Sequence, residues 1–176
     1  MTKKKNKWFV ITGGPCSGKT TTLQRLEKEG YRVIYEAARD IIDEEMKKGR
    51  TLQEMRKDEF AFQKKVLKRK IETEQRLPRS ELIFLDRGIP DSTAYYELCG
   101  VTHDPELILA VKNCSYAKIF IMDLLEYEKD YARTESIEEV KRIQELLEKS
   151  YQQFPLIKVP PMSVVDRVEF ILERIW

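Results

Sequence analysis

The sequence predicts a three-layer α/β fold in which a mostly parallel, five-stranded sheet carries helices on both faces. Three observations predict it. Short apolar runs alternate with amphipathic helical patterns along the chain, the sign of strands joined by crossover helices. The run Leu82 to Leu85 is apolar at every position, as a strand buried on both faces must be. The first apolar run leads directly into a glycine-containing turn and then a helical pattern, a strand-turn-helix unit.

Taken in order, Trp8 to Thr12 reads as the first strand and Thr20 to Lys28 as the helix it feeds, with Gly30 closing that helix. Tyr31 to Tyr35 is the second strand, followed by a helix from Ala37 to Lys48 that Gly49 stops. Met55, Phe60, Phe62, Val66 and Ile71, spaced among Lys, Arg and Glu, predict nearly continuous helix from Leu52 to Leu77, ended by Pro78. Leu82 to Leu85 is the third strand; helices then cover Asp91 to Leu98 and Glu106 to Val111, with Gly100, His103 and Pro105 in the turn between them. Ala117 to Met122 is the fourth strand and Ile137 to Tyr151 a helix, for which Ser136 and Glu139 form a capping box. A weaker strand at Leu156 to Val159 and an amphipathic helix from Val164 to Trp176 complete the chain. No repeat or long linker divides it, so residues 1–176 are expected to form a single domain.

Composition narrows the function classes. Lys and Arg total 32 against 30 Asp and Glu, and this mixed, nearly balanced charge does not describe a dedicated nucleic-acid binder. Cys16, Cys99 and Cys114 are odd in number and lack metal-ligand spacing, which argues against a disulfide framework and for a reducing, cytoplasmic setting. No run approaches a membrane span, and the basic Lys3 to Lys5 precedes an apolar run too short for a signal peptide.

The segment Gly13-Gly14-Pro15-Cys16-Ser17-Gly18-Lys19-Thr20 fits the phosphate-loop pattern G-x-x-x-x-G-K-[ST], between a strand and a helix as that motif requires. Gly13 to Thr21 are therefore the expected nucleotide-binding residues. Backbone N–H groups at a helix N-terminus collect positive potential where phosphate oxygens sit. Lys19 reaches for the β- and γ-phosphates, and Thr20 offers a hydroxyl to Mg²⁺, which prefers hard oxygen ligands. Cys16 reads as a passive loop residue. The expected ligands are ATP, with GTP as second candidate, and Mg²⁺.

Asp86 ends the apolar strand Leu82 to Leu85 and resembles a Walker B carboxylate, a second metal anchor beside the phosphate loop. Its alternative is a cap for the following turn. Arg87, next in sequence, is a candidate for gripping substrate or transferring phosphate through its planar guanidinium. Asp91 is placed either to hydrogen-bond an acceptor hydroxyl or to cap its own helix. Glu36 and Arg39 lie where the second strand enters a helix, a strand-end crevice that should adjoin the phosphate loop. Glu36 is the candidate base and Arg39 the candidate contact for an anionic acceptor. Arg133, between the fourth strand and the next helix, is the candidate lid cation that neutralises charge on the transferred group, with Asp130 and Glu135 as tethers. Lys64, Lys65, Lys68, Arg69 and Lys70 form a basic stretch that suits either an anionic partner or a solvated helix face paired with Glu72 and Glu74. Val159-Pro160-Pro161 is a candidate wall for the nucleotide base, and His103 sits in a turn with no catalytic context.

Ile11 to Thr20, Glu36-Ala37-Ala38-Arg39, Asp86-Arg87-Gly88-Ile89-Pro90-Asp91 and Arg133-Thr134-Glu135 together resemble the small AAA-type, NadR-like P-loop ATPase family over nearly the whole chain. The resemblance implies a three-layer P-loop NTPase fold and a relation to nucleoside and nucleotide kinases, including the ribosylnicotinamide kinase domain of a bacterial NAD-salvage protein. The family also contains eukaryotic GTP- and phosphoinositide-binding members. The chain has no N-K-x-D motif of the guanine-selecting kind and no second Arg finger or sensor arrangement of ring-forming motors. The first expectation is thus a Mg²⁺-dependent kinase that moves the γ-phosphoryl of ATP to a small nucleoside- or nucleotide-like metabolite. The second is a nucleotide-controlled module that contacts a protein or phosphoinositide, with the basic helix as its surface. Phosphorylation of a nucleic-acid end ranks third.

Overall fold

The computed structural model describes residues 6–125 and 136–176. Five strands, β1 (Trp8–Thr12), β2 (Arg32–Ile34), β3 (Ile83–Asp86), β4 (Lys118–Met122) and β5 (Leu156–Val159), form one sheet in the order β2-β3-β1-β4-β5. Every pairing is parallel. The helices are α1 (Lys19–Lys28), α2 (Ala37–Lys47), α3 (Leu52–Arg56), α4 (Glu59–Arg76), α5 (Asp91–Leu98), α6 (Pro105–Asn113), α7 (Ile137–Ser150) and α8 (Val164–Leu172).

The side-chain period of two explains why β1 is apolar throughout and lies at the centre. Phe9 and Ile11 point to one face, where Leu23 and Leu26 of α1 and Val168 and Ile171 of α8 cover them. Trp8 and Val10 point to the other, against Ile83, Leu85, Tyr116, Ile119 and Tyr151. The indole of Trp8 is thus a core group, 2% exposed, whereas Trp176 is 83% exposed. At the edge, β2 is shorter than the Tyr31 to Tyr35 expected, and its exposed Arg32 pairs with Glu81 at 2.7 Å, the kind of charge that discourages edge-to-edge association.

Two helix expectations are corrected. The stretch Leu52 to Leu77 is two helices, because Asp58 leaves the helical conformation and its carboxylate takes the Ala61 N–H at 2.9 Å, starting α4 anew. A complete capping box between Thr51 and Glu54 starts α3. The last helix ends at Leu172 rather than at Trp176. The capping box of Ser136 and Glu139 on α7 is present as read from the sequence.

Register brings the functional segments to the carboxyl edge of the sheet. Ile11 pairs with both Asp86 and Phe120, so the turn after β1, the end of β3 and the end of β4 lie side by side. Two tyrosines hold the turn after β3. The Tyr116 hydroxyl accepts the Ile89 N–H at 2.9 Å and donates to Glu74 Oε1 at 2.7 Å. The Tyr151 hydroxyl accepts the Gly88 N–H at 3.0 Å and donates to Asp91.

Two predictions follow from this packing. Leu26 is fully buried between α1 and the sheet, so Leu26→Ala should cost about 2–5 kcal/mol in urea unfolding. Burial pushes the Glu74 carboxyl up to about 7, above its unfolded value, so its contribution to stability is complete in acid and is lost as pH rises through neutrality. Glu74→Gln keeps the acceptor for Tyr116 and should raise the melting temperature at pH 8 while leaving it nearly unchanged at pH 4; equal effects at both would refute this account.

Candidate active site

The phosphate loop folds back on itself at two glycines. A Cβ on Gly13 would lie 2.8 Å from Ser17 Oγ and 2.9 Å from the Met122 carbonyl, so only glycine fits between β1 and the end of β4. Gly18 adopts φ 74°, the left-handed region, as the N-cap of α1. No side chain caps that terminus, and no acidic residue occupies its first turn. Its first N–H groups and its positive dipole end therefore lack an anionic side chain of the helix itself. Ser17 Oγ is buried without a hydrogen-bond partner. Cys16 has φ 63° and its carbonyl accepts the Leu125 N–H at 3.2 Å, a structural engagement within the loop.

Lys19 opens α1 and points its Nζ to 3.6 Å from Asp86 Oδ1 at the end of β3. Both groups are nearly buried, and burial, seconded by Arg87, lowers the Lys19 pKa while burial raises that of Asp86. Asp86 Oδ1 has no hydrogen-bond partner. Thr20 follows on the exposed side of α1. The Thr21 hydroxyl donates to the Gly18 carbonyl at 2.9 Å.

Arg87 occupies the left-handed region at φ 67°, a strain of about 1–3 kcal/mol for a non-glycine residue that its surroundings must hold. Its Nε lies 3.0 Å from Glu36 Oε1, its Nη1 3.2 Å from Asp91 Oδ1, and its guanidinium 5.1 Å from the Tyr95 ring centre. Burial opposes its charge, but Tyr95, Glu36, Asp91 and Asp86 outweigh it and hold Arg87 protonated. Glu36 is the N-cap of α2 yet makes no side-chain cap, which leaves its carboxylate to face Arg87. Burial alone would raise the Glu36 pKa; Arg87, Lys19 and Lys70 together hold it below the ordinary value, so it stays a carboxylate.

Glu36, Arg39, Arg87 and Pro15 of the phosphate loop line one cavity of about 860 Å³, together with Phe62 and Tyr95. The structure thus brings the phosphate loop, Asp86, Arg87, Glu36 and Arg39 into one region. Asp91 is placed differently from the expected acceptor contact. It is fully buried; Thr12 Oγ1 donates to Oδ1 at 2.6 Å, the Gly88 N–H to Oδ2 at 2.9 Å, and Arg87 and Tyr151 complete its shell. Burial works to raise its pKa, but Lys70 and Arg87 and these hydrogen bonds hold it below the ordinary value, so it acts from behind Arg87 as an anion. Arg133, Asp130 and Glu135 lie outside the described residues. His103 packs against Tyr96, with ring centres 6.4 Å apart.

Several buried polar groups went unread in the sequence. Lys70 donates to the Gly88 carbonyl at 3.0 Å and to Ser92 Oγ at 3.3 Å. Gln144 accepts the Gly14 N–H at 2.8 Å and donates to the Met122 carbonyl at 3.2 Å. Gln144 and Tyr151 are seven positions apart, two turns of one helix face, the one spacing that could have linked them. In the sequence Lys70 reads only as one cation of the basic stretch, suited to an anionic partner or a solvated helix face.

The fold resembles a NadR protein solved with NAD and AMP-PNP, with a TM-score of 0.69 and 15% identity over 96% of this chain and 49% of that one. It also resembles thymidylate kinase from Ehrlichia chaffeensis, TM-score 0.67, 12% identity, over 96% of this chain and 97% of that one. Deoxyadenosine kinase from M. mycoides with bound dATP gives a TM-score of 0.66 and 15% identity, over 96% and 98% of the two chains. At these identities the likeness is one of fold. No curated protein sequence matches the chain. The AAA domain family model matches residues 8–167, from β1 into α8, and the chain belongs to that family.

Proposed function

We propose that the protein is a Mg²⁺-dependent kinase that transfers the γ-phosphoryl group of ATP to a small nucleoside- or nucleotide-like metabolite. The observation that carries this reading is the cavity of about 860 Å³ in which Glu36, Arg39 and Arg87 stand beside Pro15 of the phosphate loop. A cavity of that size suits a metabolite rather than a macromolecular face. The solved relatives that act on thymidylate or deoxyadenosine share the fold and support the same class. GTP is the second candidate donor.

Each group has a role that its environment favours. Lys19 and the first N–H groups of α1 would hold the β- and γ-phosphates. Thr20 and Asp86 would hold Mg²⁺, and the buried Asp86 Oδ1, which accepts no hydrogen bond and has only the Lys19 ammonium 3.6 Å away, fits that demand for a hard oxygen. Mg²⁺ usually keeps several waters and is held by one or two protein oxygens together with substrate phosphates, a demand that Thr20 and Asp86 would meet with a bound triphosphate. Its chemistry, when bound, is to neutralise phosphate charge. Arg87, permanently charged, would bridge acceptor and transferring phosphate. Glu36 would orient the acceptor hydroxyl and take its proton late in transfer; its lowered pKa keeps it ionised and able to accept that hydrogen bond, as a weak base. Arg39 would meet anionic groups on the acceptor, and Arg133, on sequence grounds, would add a cation from the segment before α7.

The switch-module alternative is disfavoured by the basic stretch itself. Lys64 pairs with Asp104 and Glu106 at 3.3 and 3.2 Å, Arg69 with Glu44 at 2.8 Å, and Lys65 lies 3.9 Å from Glu45. Lys70 is buried. Intramolecular carboxylates thus meet most of the charge that an anionic partner would need, although not the Glu72 and Glu74 expected from helix spacing. No described helix is long and apolar enough to cross a membrane.

ADP formation with a panel of nucleosides, nucleotides and related metabolites tests the proposal. It should depend on one acceptor, and a panel in which no compound stimulates ADP release would overturn it. With that acceptor, Lys19→Ala should lower turnover about 10²–10³-fold. Glu36→Gln should lower kcat about 10²-fold or more with little change in the KM for ATP. If Glu36→Gln instead raises the KM for ATP and spares kcat, Glu36 belongs to the donor side and the role given to it is wrong.

A further inference from the structure

Behind the phosphate loop, on the face away from the acceptor cavity, lies a charged group that the proposed mechanism does not use. Arg167 of α8 is 4% exposed. Its Nη1 donates to the carbonyls of Ser17 at 3.3 Å and Gly18 at 3.0 Å, and its Nε to the Ser163 carbonyl at 3.5 Å. Among the described residues no carboxylate pairs with it, and burial alone lowers its pKa. The guanidinium also sits at the N-terminus of α1, where the helix dipole is itself positive and the first turn holds no acid. A buried cation at a positive helix end is electrostatically unfavourable unless an anion comes to it.

The peptide units show where that anion would act. The Ser17 carbonyl and the Gly18 N–H belong to one peptide, and the Gly18 carbonyl and the Lys19 N–H to the next. A cation on each carbonyl oxygen polarises the peptide and strengthens the N–H at its other end as a donor. Those N–H groups are the ones a phosphate loop turns toward phosphate oxygens. The Arg167 guanidinium also lies where a Cβ at position 18 would project, although it is the left-handed φ of 74° that calls for glycine there.

We infer that Arg167 is a positioning residue of the donor site, which clamps the Ser17 and Gly18 carbonyls and supplies a buried positive charge whose counter-ion is the triphosphate. The inference rests on the nucleotide-binding role proposed above and adds that α8 takes part in it. It gives the phosphate loop two cations of different kinds: Lys19, paired with Asp86, and Arg167, which among the described residues has no carboxylate partner.

Calorimetric binding of Mg²⁺ with a nonhydrolysable ATP analogue, and of inorganic tripolyphosphate, to wild type, Arg167→Lys and Arg167→Met tests it. Arg167→Met should weaken both ligands about ten- to a hundredfold, the scale of a lost charge-assisted hydrogen bond, with Arg167→Lys intermediate and the acceptor KM unchanged. The rise in melting temperature caused by the analogue should shrink in the same order. A merely structural arginine would lower the melting temperature of the free protein yet leave both affinities within about twofold of wild type, and that result would overturn the inference. So would a loss confined to the ATP analogue, which would place Arg167 against the base or sugar. If Arg167→Met does not fold, wild-type affinity in Arg167→Lys together with an unchanged ligand-induced stabilisation counts against it. Wild-type protein that binds neither ligand would refute the donor site and this inference together, whereas wild-type binding matched by the variants refutes the inference alone.

Discussion

The carboxyl edge of this sheet is organised around one fully buried carboxylate. Asp91 receives hydrogen bonds from Thr12 at the end of β1, from the Gly88 N–H, from Arg87 and from Tyr151 of the turn after α7. Removing a carboxylate from water costs several kcal/mol, and only a near-complete shell of donors offsets it. The same shell joins parts of the chain that are distant in sequence: β1, the turn after β3 and the C-terminal end of α7. The left-handed backbone of Arg87 persists because its guanidinium and the next peptide N–H are both held by this one side chain.

Charge then spreads outward from Asp91 in alternating signs. Arg87 and Lys70 balance Asp91 from two directions, Glu36 faces Arg87, and Lys19 faces Asp86. Neighbours hold Arg87, Glu36 and Asp91 in their charged forms against burial, whereas for Lys19, Lys70 and Asp86 burial outweighs the neighbours and shifts the balance toward the neutral form. Such an array is preorganised: its dipoles and charges are fixed before a ligand arrives, so little reorganisation is needed as charge develops in a transition state. The aromatic hydroxyls of Tyr116 and Tyr151 supply the matching support below the turn, one through Glu74 and one through Asp91.

The parts legible in the sequence were those whose physics is local. The phosphate loop could be read because glycine is required where no Cβ fits, as at Gly13, and because Lys and Thr must follow Gly18 directly into a helix. Asp86 could be read because a short apolar run ending in an acid is itself a strand with a polar end. Asp91 was read as either a substrate contact or a cap for its own helix, since nothing within a few residues reveals that Thr12 and Tyr151 enclose it. Lys70, Gln144 and Arg167 were invisible for the same reason: each is an ordinary polar residue on an amphipathic helix until its partner, far away in sequence, is known.

By itself, then, the sequence determined the layer architecture, the strand that carries the phosphate loop and the strand that carries Asp86, because hydrophobic period, glycine positions and strand ends are encoded within short windows. Tertiary structure alone decided that β1 lies between β3 and β4, that Glu36 meets Arg87, that Asp91 turns inward, and that a helix near the C-terminus braces the phosphate loop. Those outcomes depend on contacts between residues up to 150 positions apart, such as Ser17 and Arg167. Register and burial set them, and neither is a property of any single segment.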